Sequence, residues 1–169
     1  ENPYFASDRA MGGRIQASED WNTILSKLKR DPKTGKIIEK IQIYTHSRGA
    51  AFGQGYTEQL FQLIKENANQ FQDANGEIEF SLNLDPHQSY DVNAVSGVPT
   101  YSIDHDNIAA GNGMNGVKAA FTTNETVGGF LWSHKNASFY KDLGTFLKSF
   151  QTGSSTQKVI DKFVKTMKN

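Results

Sequence analysis

Residues 37–50 read IIEKIQIYTHSRGA, and this stretch decides the class of fold. Its first part, 37–44, is dense in β-branched isoleucine, which predicts a strand that ends near Thr45. A corner of small and polar residues, 46–49, follows the strand. From about Ala50 the apolar residues recur near helical spacing. The stretch therefore predicts a strand, a tight turn and a helix in immediate succession.

A helix is also predicted upstream of this unit. Its apolar residues recur at the i, i+3, i+4, i+7 spacing of one helix face, and Ser18 is a suitable N-cap. Residues 1–17 show no clear period and contain the flexible pair Gly12-Gly13, so the helix is expected to begin at Ser18. The apolar positions of this helix are Trp21, Ile24, Leu25 and Leu28.

Further strands are predicted downstream, and the clearest runs from Ile78 to Leu84. Apolar and polar residues alternate there, as in a strand with one buried face. Strands joined by helices predict an α/β fold, a mostly parallel sheet flanked by helices, in a single domain over residues 1–169. Ligand sites in such sheets lie beyond the carboxyl ends of the strands. The remaining predicted elements are strands at 98–103, 117–122 and 127–132, a loop at 107–116, and helices at 138–150 and 159–167.

The composition is that of a globular chain with balanced charge. The chain has 169 residues, 37% of them hydrophobic, with 18 Lys and Arg against 18 Asp and Glu. Zero net charge argues against nucleic acid or an anionic membrane surface as the main partner. No apolar run reaches the ~20 residues that a membrane helix needs. The sequence has no cysteine, which excludes thiolate chemistry and leaves the compartment open.

The corner at 46–49 has the residue types that a nucleophilic serine requires. A serine on a tight turn between a strand and a helix holds its oxygen near the helix N-terminus. Backbone N–H groups there, including that of Arg48, can stabilise an oxyanion. Gly49 and Ala50 are small enough to avoid steric crowding in the turn. The simpler alternative is that Ser47 only caps the helix.

A serine nucleophile needs a base, and the chain offers four histidines. His46 adjoins Ser47, so the turn would direct its ring away from the nucleophile. His134 lies downstream of every acid at a strand end, which matches the chain order serine, acid, histidine. The acid stays open between Asp85, directly after the alternating strand, and Asp106, after the next one. The other two histidines are His87 and His105.

The run THSRGA at 45–50 resembles the nucleophile elbow of serine hydrolases of the α/β-hydrolase superfamily, in particular lipase-like bacterial toxins and effectors. A looser likeness in element order covers residues 18 to 150, and Thr45 stands where the family has its first glycine. The resemblance implies a triad of Ser47, His134 and an aspartate that hydrolyses a carboxylic ester, by resemblance a lipid ester, without metal or organic cofactor. It favours Asp106 slightly over Asp85 and suggests a secreted or effector protein.

The resemblance also implies a second oxyanion donor from a loop after an earlier strand. Residues 1–17 offer only Gly12-Gly13 as a substitute. Because the chain opens on Glu1, we expect it to be a fragment, with the rest of a parent chain as its partner. Either Gly12-Gly13 supply the second donor, or the segment that does so lies upstream on that parent chain. Gly53-Gln54-Gly55 is interpreted as close packing of the second helix on the sheet rather than as a phosphate loop.

Two other classes of function stay open on the residues alone. One is a metal-dependent hydrolase, since carboxylate and imidazole ligands suit zinc, manganese or iron. Its candidate ligands are Asp85, His87, Asp104, Asp106 and His134, which match no recognised metal motif. The other is a non-catalytic α/β binding module, or a hydrolase fold that has lost its activity.

Overall fold

The computed structural model describes residues 4–105, 114–123 and 139–149, together with Lys158, Asp161 and Lys162. Helices and parallel strands alternate along the first half of the chain. Short 3-10 turns at Ala68–Gln70 and Ser89–Asp91 flank the strand at Ile78–Leu84. The elements are α1 (Ala6–Lys27), β1 (Ile41–His46), α2 (Gly49–Glu66), β2 (Ile78–Leu84), β3 (Thr100–His105), β4 (Ala119–Thr123) and α3 (Tyr140–Ser149).

The four strands form one parallel sheet in the order β1-β2-β3-β4. The general α/β fold predicted from the sequence is thereby confirmed. His46 pairs with Leu84, and Leu84 pairs with Ile103, so the carboxyl ends of β1, β2 and β3 lie side by side. Polar residues that follow these strands in the sequence therefore meet at one edge of the sheet.

The start predicted for the first helix was wrong by three turns. α1 begins at Ala6 rather than Ser18 and includes Gly12 and Gly13 in its interior. The reason is tertiary, since a Cβ on Gly13 would collide with the carbonyl oxygen of Phe52 in α2. Gly13 lets α1 and α2 approach closely, and this packing outweighs the low helix propensity of glycine.

The close packing of α1 on α2 also explains why Gly53-Gln54-Gly55 contains a glycine at position 55. A Cβ on Gly55 would overlap the carbonyl oxygen of Ala10 in α1, and a Cβ on Gly53 would overlap the side chain of Thr45 in β1. Close packing is confirmed, with one glycine serving the sheet and the other serving α1.

The sheet is covered on both faces. Leu60 and Ile64 of α2 pack with Ile41 and Ile43 of β1 on one face, joined by Trp21 of α1. On the other face, α3 packs on side chains of β2, β3 and β4, and the ring of Phe146 contacts Phe80 and Tyr101 edge-on. This core cluster consists of Phe80, Leu82, Leu84, Tyr101, Ile103, Phe121, Phe139 and Phe146.

The expectation that β2 buries only one face was also wrong. Ser81 and Asn83, predicted to face water, are completely buried. β2 lies between β1 and β3, and Gln54 of α2 covers these two side chains with hydrogen bonds. Polar residues at such positions are tolerated because they are hydrogen-bonded to one another.

Several predicted elements lie outside the described residues. These are the strand at 127–132, most of the loop at 107–116 and most of the last helix at 159–167. Within that helix Asp161 and Lys162 are described and are helical, as is Lys158 just before it. In the part of the chain that is described, no helix is long and apolar enough to cross a membrane.

Candidate active site

Ser47 stands on a tight turn between β1 and α2, with a backbone φ of 53°. This left-handed conformation is unfavourable for residues other than glycine, and such strain concentrates at functional sites. The N–H of Ser47 donates to the Leu84 carbonyl at 2.9 Å. Its own carbonyl accepts from the N–H groups of Ala50 and His87, each at 3.1 Å. The turn is thus fixed from β2, from α2 and from the loop after β2.

The capping alternative for Ser47 is not supported. Arg48 occupies the N-cap position of α2, and its side chain makes no capping hydrogen bond. Ser47 therefore lies one residue before the N-cap position. The N–H of Arg48 lies at the N-terminus of α2, where helix N–H groups lack intrahelical partners.

Thr45 fits in place of the usual glycine because Gly53 makes room for it. A Cβ on Gly53 would collide with the Cγ2 atom of Thr45. The Thr45 hydroxyl donates to the Asn83 Oδ1 atom of β2, and the Gln54 Nε2 atom donates to the same oxygen at 3.2 Å. Asn83 in turn donates to the Tyr101 carbonyl at 3.3 Å. This buried network ties β1, β2, β3 and α2 together below the turn.

Arg9 of α1 forms hydrogen bonds with the turn and with the loop after β2. Its Nε atom donates to the Arg48 carbonyl at 3.1 Å, and its Nη2 atom donates to Gln88 Oε1 at 2.6 Å. The Arg48 guanidinium lies 5.3 Å from the ring centre of Tyr4. Burial and the nearby Arg48 charge lower the pKa of Arg9 from its ordinary value. No sequence pattern predicted a role for Arg9 or Gln88, because Arg9 reaches Arg48 and Gln88 from a distant part of the chain.

Asp85 lies beside the turn, directly after β2. Its N–H donates to the Ile103 carbonyl at 2.8 Å, it is completely buried, and its φ is 48°. Since Ser47 bonds to Leu84, the residue before Asp85, the two residues occupy adjacent strand ends.

The other candidate acid region follows β3. Asp104 and His105 form the end of that strand, whereas the sequence predicted that it ends at residue 103. Pairing with β4 extends the strand through His105. Asp106 lies outside the described residues.

The described histidines near the turn have separate surroundings. His46 is half-buried, and its ring contacts Phe139 at 5.9 Å between ring centres. His87 is exposed on the loop after β2. His134 lies outside the described residues, but Phe139 follows it by five positions in the sequence. The contact with His46 is therefore made by Phe139, at the start of the described segment 139–149.

Of the two sources left open for a second oxyanion donor, Gly12-Gly13 do not fit the structure. Both glycines lie in the interior of α1, and Gly13 packs on the backbone of Phe52. Helix-interior N–H groups are bonded within the helix and cannot serve a ligand. Among the described residues no strand precedes β1, which is an edge of the sheet.

The described residues contain no cluster of metal-ligating side chains that would support a metal-dependent hydrolase. Within 4–105, 114–123 and 139–149, no three His, Cys, Asp or Glu side chains come together as a metal site would require. Two of the five proposed ligands, Asp106 and His134, lie outside these ranges.

Two cavities lie near this region of the fold. The larger, about 440 Å³, lies between α1, α2 and residues 91–96, and none of the predicted site residues lines it. The smaller, about 290 Å³, is lined by β1 residues up to His46, by Leu84 and by the start of α3. Only the smaller cavity therefore adjoins the Ser47 turn.

Comparison with known proteins gives no match: no family model, no curated protein and no solved structure is significantly similar to this chain.

Proposed function

We propose that this chain is a serine hydrolase of the α/β-hydrolase type that cleaves carboxylic esters, with Ser47 as the nucleophile. The observation that carries the proposal is the left-handed backbone of Ser47, at the carboxyl end of a parallel strand and immediately before a helix. A nucleophilic serine on a strand-to-helix elbow needs this conformation. The resemblance of residues 45–50 to lipase-like elbows supports an ester, and in particular a lipid ester, as the substrate.

The proposed reaction has two halves. The Ser47 oxygen attacks the ester carbonyl carbon while His134 takes the serine proton. The tetrahedral intermediate then collapses, the carbon–oxygen bond to the alcohol breaks, and His134 protonates the departing alcohol. Water next attacks the acyl-serine, gives its proton to His134, and releases the carboxylic acid as Ser47 regains its proton. The N–H of Arg48 stabilises the oxyanion in both halves.

The acid that orients His134 is Asp85 or Asp106. Burial at the strand end next to Ser47 favours Asp85, because a buried carboxylate stabilises the imidazolium that forms during the reaction. The resemblance to the superfamily favours Asp106. Both carboxylates belong to the proposal until variants distinguish them.

Labelling with a fluorophosphonate probe tests the nucleophile. We expect the wild-type chain to be labelled covalently, and Ser47→Ala and His134→Ala to lose the label while keeping their circular dichroism spectra. Ser96→Ala, which changes an exposed serine away from the turn, is the matched control and should label normally. Labelling that survives Ser47→Ala would overturn the proposal, and so would an unlabelled wild-type chain that is folded.

The same probe identifies the acid. Asp85→Asn and Asp106→Asn should differ, and the variant of the true acid should label more slowly by several orders of magnitude, since loss of the acid leaves histidine in the wrong tautomer. Equal labelling rates for both variants and the wild type would exclude an aspartate at either position from the triad.

A further inference from the structure

Among the residues that the structure describes, those with a left-handed backbone other than glycine all lie in two loops that contact each other. They are Ser47, with a φ of 53° in the turn after β1, and Asp85 and Gln88, with φ values of 48° and 55° in the loop after β2. Such strain persists only where the surrounding structure holds it, and it concentrates at functional sites. The contacts between the turn and the loop at 85–88 therefore show what this loop holds in place.

The loop at 85–88 binds the turn at the carbonyl of Ser47. This carbonyl accepts from the N–H groups of His87 and Ala50, each at 3.1 Å. Because a peptide group is planar and rigid, two donors at this oxygen fix the orientation of the whole peptide between Ser47 and Arg48. The N–H of a trans peptide points away from its carbonyl. The bond from His87 therefore also sets the direction of the Arg48 N–H.

Arg9 joins the same loop to the same turn through side chains. One guanidinium donates to the Arg48 carbonyl at 3.1 Å and to the Gln88 Oε1 atom at 2.6 Å. Hydrogen bonds from a charged donor are shorter and stronger than those between neutral groups. Since Gln88 directly follows His87, its bond to Arg9 restrains the residue next to the His87 N–H.

We infer that Gln88 is a positioning residue: through Arg9 and the His87 N–H, it holds the Arg48 N–H in one fixed direction for the oxyanion. The inference rests on the proposed function, in which the Arg48 N–H stabilises the oxyanion, and it adds the residue that orients this donor. A preorganised donor acts mainly on the charge that develops in the transition state, and less on the bound substrate. Loss of the bond between Arg9 and Gln88 should therefore lower kcat more than it changes KM.

The test compares Gln88→Met with Gln88→Glu in the hydrolysis of p-nitrophenyl acetate. Loss of an entire oxyanion donor lowers kcat by about 10²–10³, so a donor that is present but less restrained should cost less. For Gln88→Met, which removes the amide oxygen at similar side-chain length, we expect kcat to fall about tenfold and KM to stay within about twofold. Glutamate again accepts from Arg9, so Gln88→Glu should recover most of kcat. A Gln88→Met variant with the wild-type kcat, or with its whole defect in KM, would overturn the inference.

Gln70→Met is the matched control. The Gln70 Oε1 atom also accepts from an arginine, the Arg30 Nη2 atom at 3.2 Å, in an exposed contact. The backbone carbonyl of Gln70 accepts from the N–H of Ile37, which precedes the amino end of β1, so this pair lies away from the Ser47 turn. The control should keep kcat and KM. An equal fall in kcat for Gln70→Met would assign the effect to the general loss of a side-chain hydrogen bond and overturn the positioning role.

Arg9→Met tests the same contact from its other partner and serves as the second variant if Gln88→Met does not fold. It should lower kcat at least as much as Gln88→Met, since it also removes the bond to the Arg48 carbonyl. The double variant should have the kcat of Arg9→Met alone, because two residues that act through one contact are not additive. Circular dichroism at the assay temperature confirms that each variant is folded. Losses that multiply in the double variant would contradict a shared contact and overturn the inference.

The outcomes separate the two proposals. A folded wild-type chain that hydrolyses no ester, acetate included, overturns the proposed function and the inference with it. Ser47-dependent hydrolysis of acetate with a kcat that neither Gln88→Met nor Arg9→Met lowers leaves the function standing and overturns the role of Gln88.

Discussion

The methyl group of Thr45 occupies the space that a side chain on Gly53 would need. Thr45 belongs to β1 and Gly53 to the first turns of α2, so the contact joins the two sides of the Ser47 turn. Because Gly53 has no side chain, the helix can pack against the strand at Thr45.

Gly53→Ala tests this relationship. The added Cβ collides with Thr45, so we expect a loss of about 1–3 kcal/mol in the free energy of unfolding, as for overpacked cores. Adding Thr45→Gly should recover part of that loss. Gly144→Ala is the control, since Gly144 lies in α3 with open space around it and alanine should stabilise the helix by about 0.5–1 kcal/mol. Urea titrations measure all three, and equal effects at 53 and 144 would contradict the explanation.

Ser47→Gly should separate stability from activity. A φ of 53° costs a serine roughly 1–2 kcal/mol that glycine does not pay, partly offset by the greater freedom of glycine in the unfolded chain. We therefore expect Ser47→Gly to be up to about 1 kcal/mol more stable than the wild type and to lose probe labelling. Ser47→Ala should lose labelling without this gain. A Ser47→Gly variant less stable than Ser47→Ala would refute the strain.

Arg9→Ala should lower the stability of the protein by removing side-chain hydrogen bonds next to the Ser47 turn. The variant loses the hydrogen bonds to the Arg48 carbonyl and to Gln88, and we expect a cost of about 1–3 kcal/mol in unfolding free energy. Arg14→Ala in the same helix removes an exposed ion pair with Glu58 at 2.7 Å and should cost less than about 1 kcal/mol. Chemical denaturation compares the two, and a larger cost at Arg14 would contradict the role given to Arg9.

Glu77 makes the stability depend on pH. Burial is the main cause that raises the pKa of Glu77 from 4.5 to about 7; Lys40 opposes this shift, and Asp73 and Glu39 add to it. A raised pKa in the folded state means that the neutral carboxyl is the favoured form. Its contribution is complete below about pH 4.5 and is lost as the pH rises toward 7.

Stability measured against Glu77→Gln isolates this effect. Relative to the variant, which cannot ionise, the wild type should lose on the order of 2 kcal/mol between pH 4.5 and 7, and the difference should level off above that range. Lys40→Met removes the charge that lowers the pKa and should move the window to higher pH. Urea midpoints across this pH range provide the measurement, and a wild-type curve parallel to that of Glu77→Gln would show that Glu77 does not titrate there.

The local sequence pattern was sufficient to predict the strand and the helix on either side of Ser47. The β-branched run before Thr45 predicted β1, and the apolar spacing after Ala50 predicted α2, since both periodicities are set by neighbours in the chain. Ser47 and Asp85 were identified as strand-end residues for the same reason. The choice between Asp85 and Asp106 was not decided, because it depends on distances that no local pattern contains.

The sequence by itself determined the parallel α/β order and the position of the serine turn, because these follow from the spacing of apolar residues and from a small-residue corner between a strand and a helix. Only the tertiary structure decided the first half of α1, the burial of both faces of β2 and the hold of Arg9 on the turn. Each of these arises from contact between segments far apart in the chain. Such contacts lower the free energy of the folded state and leave no periodic trace in the sequence.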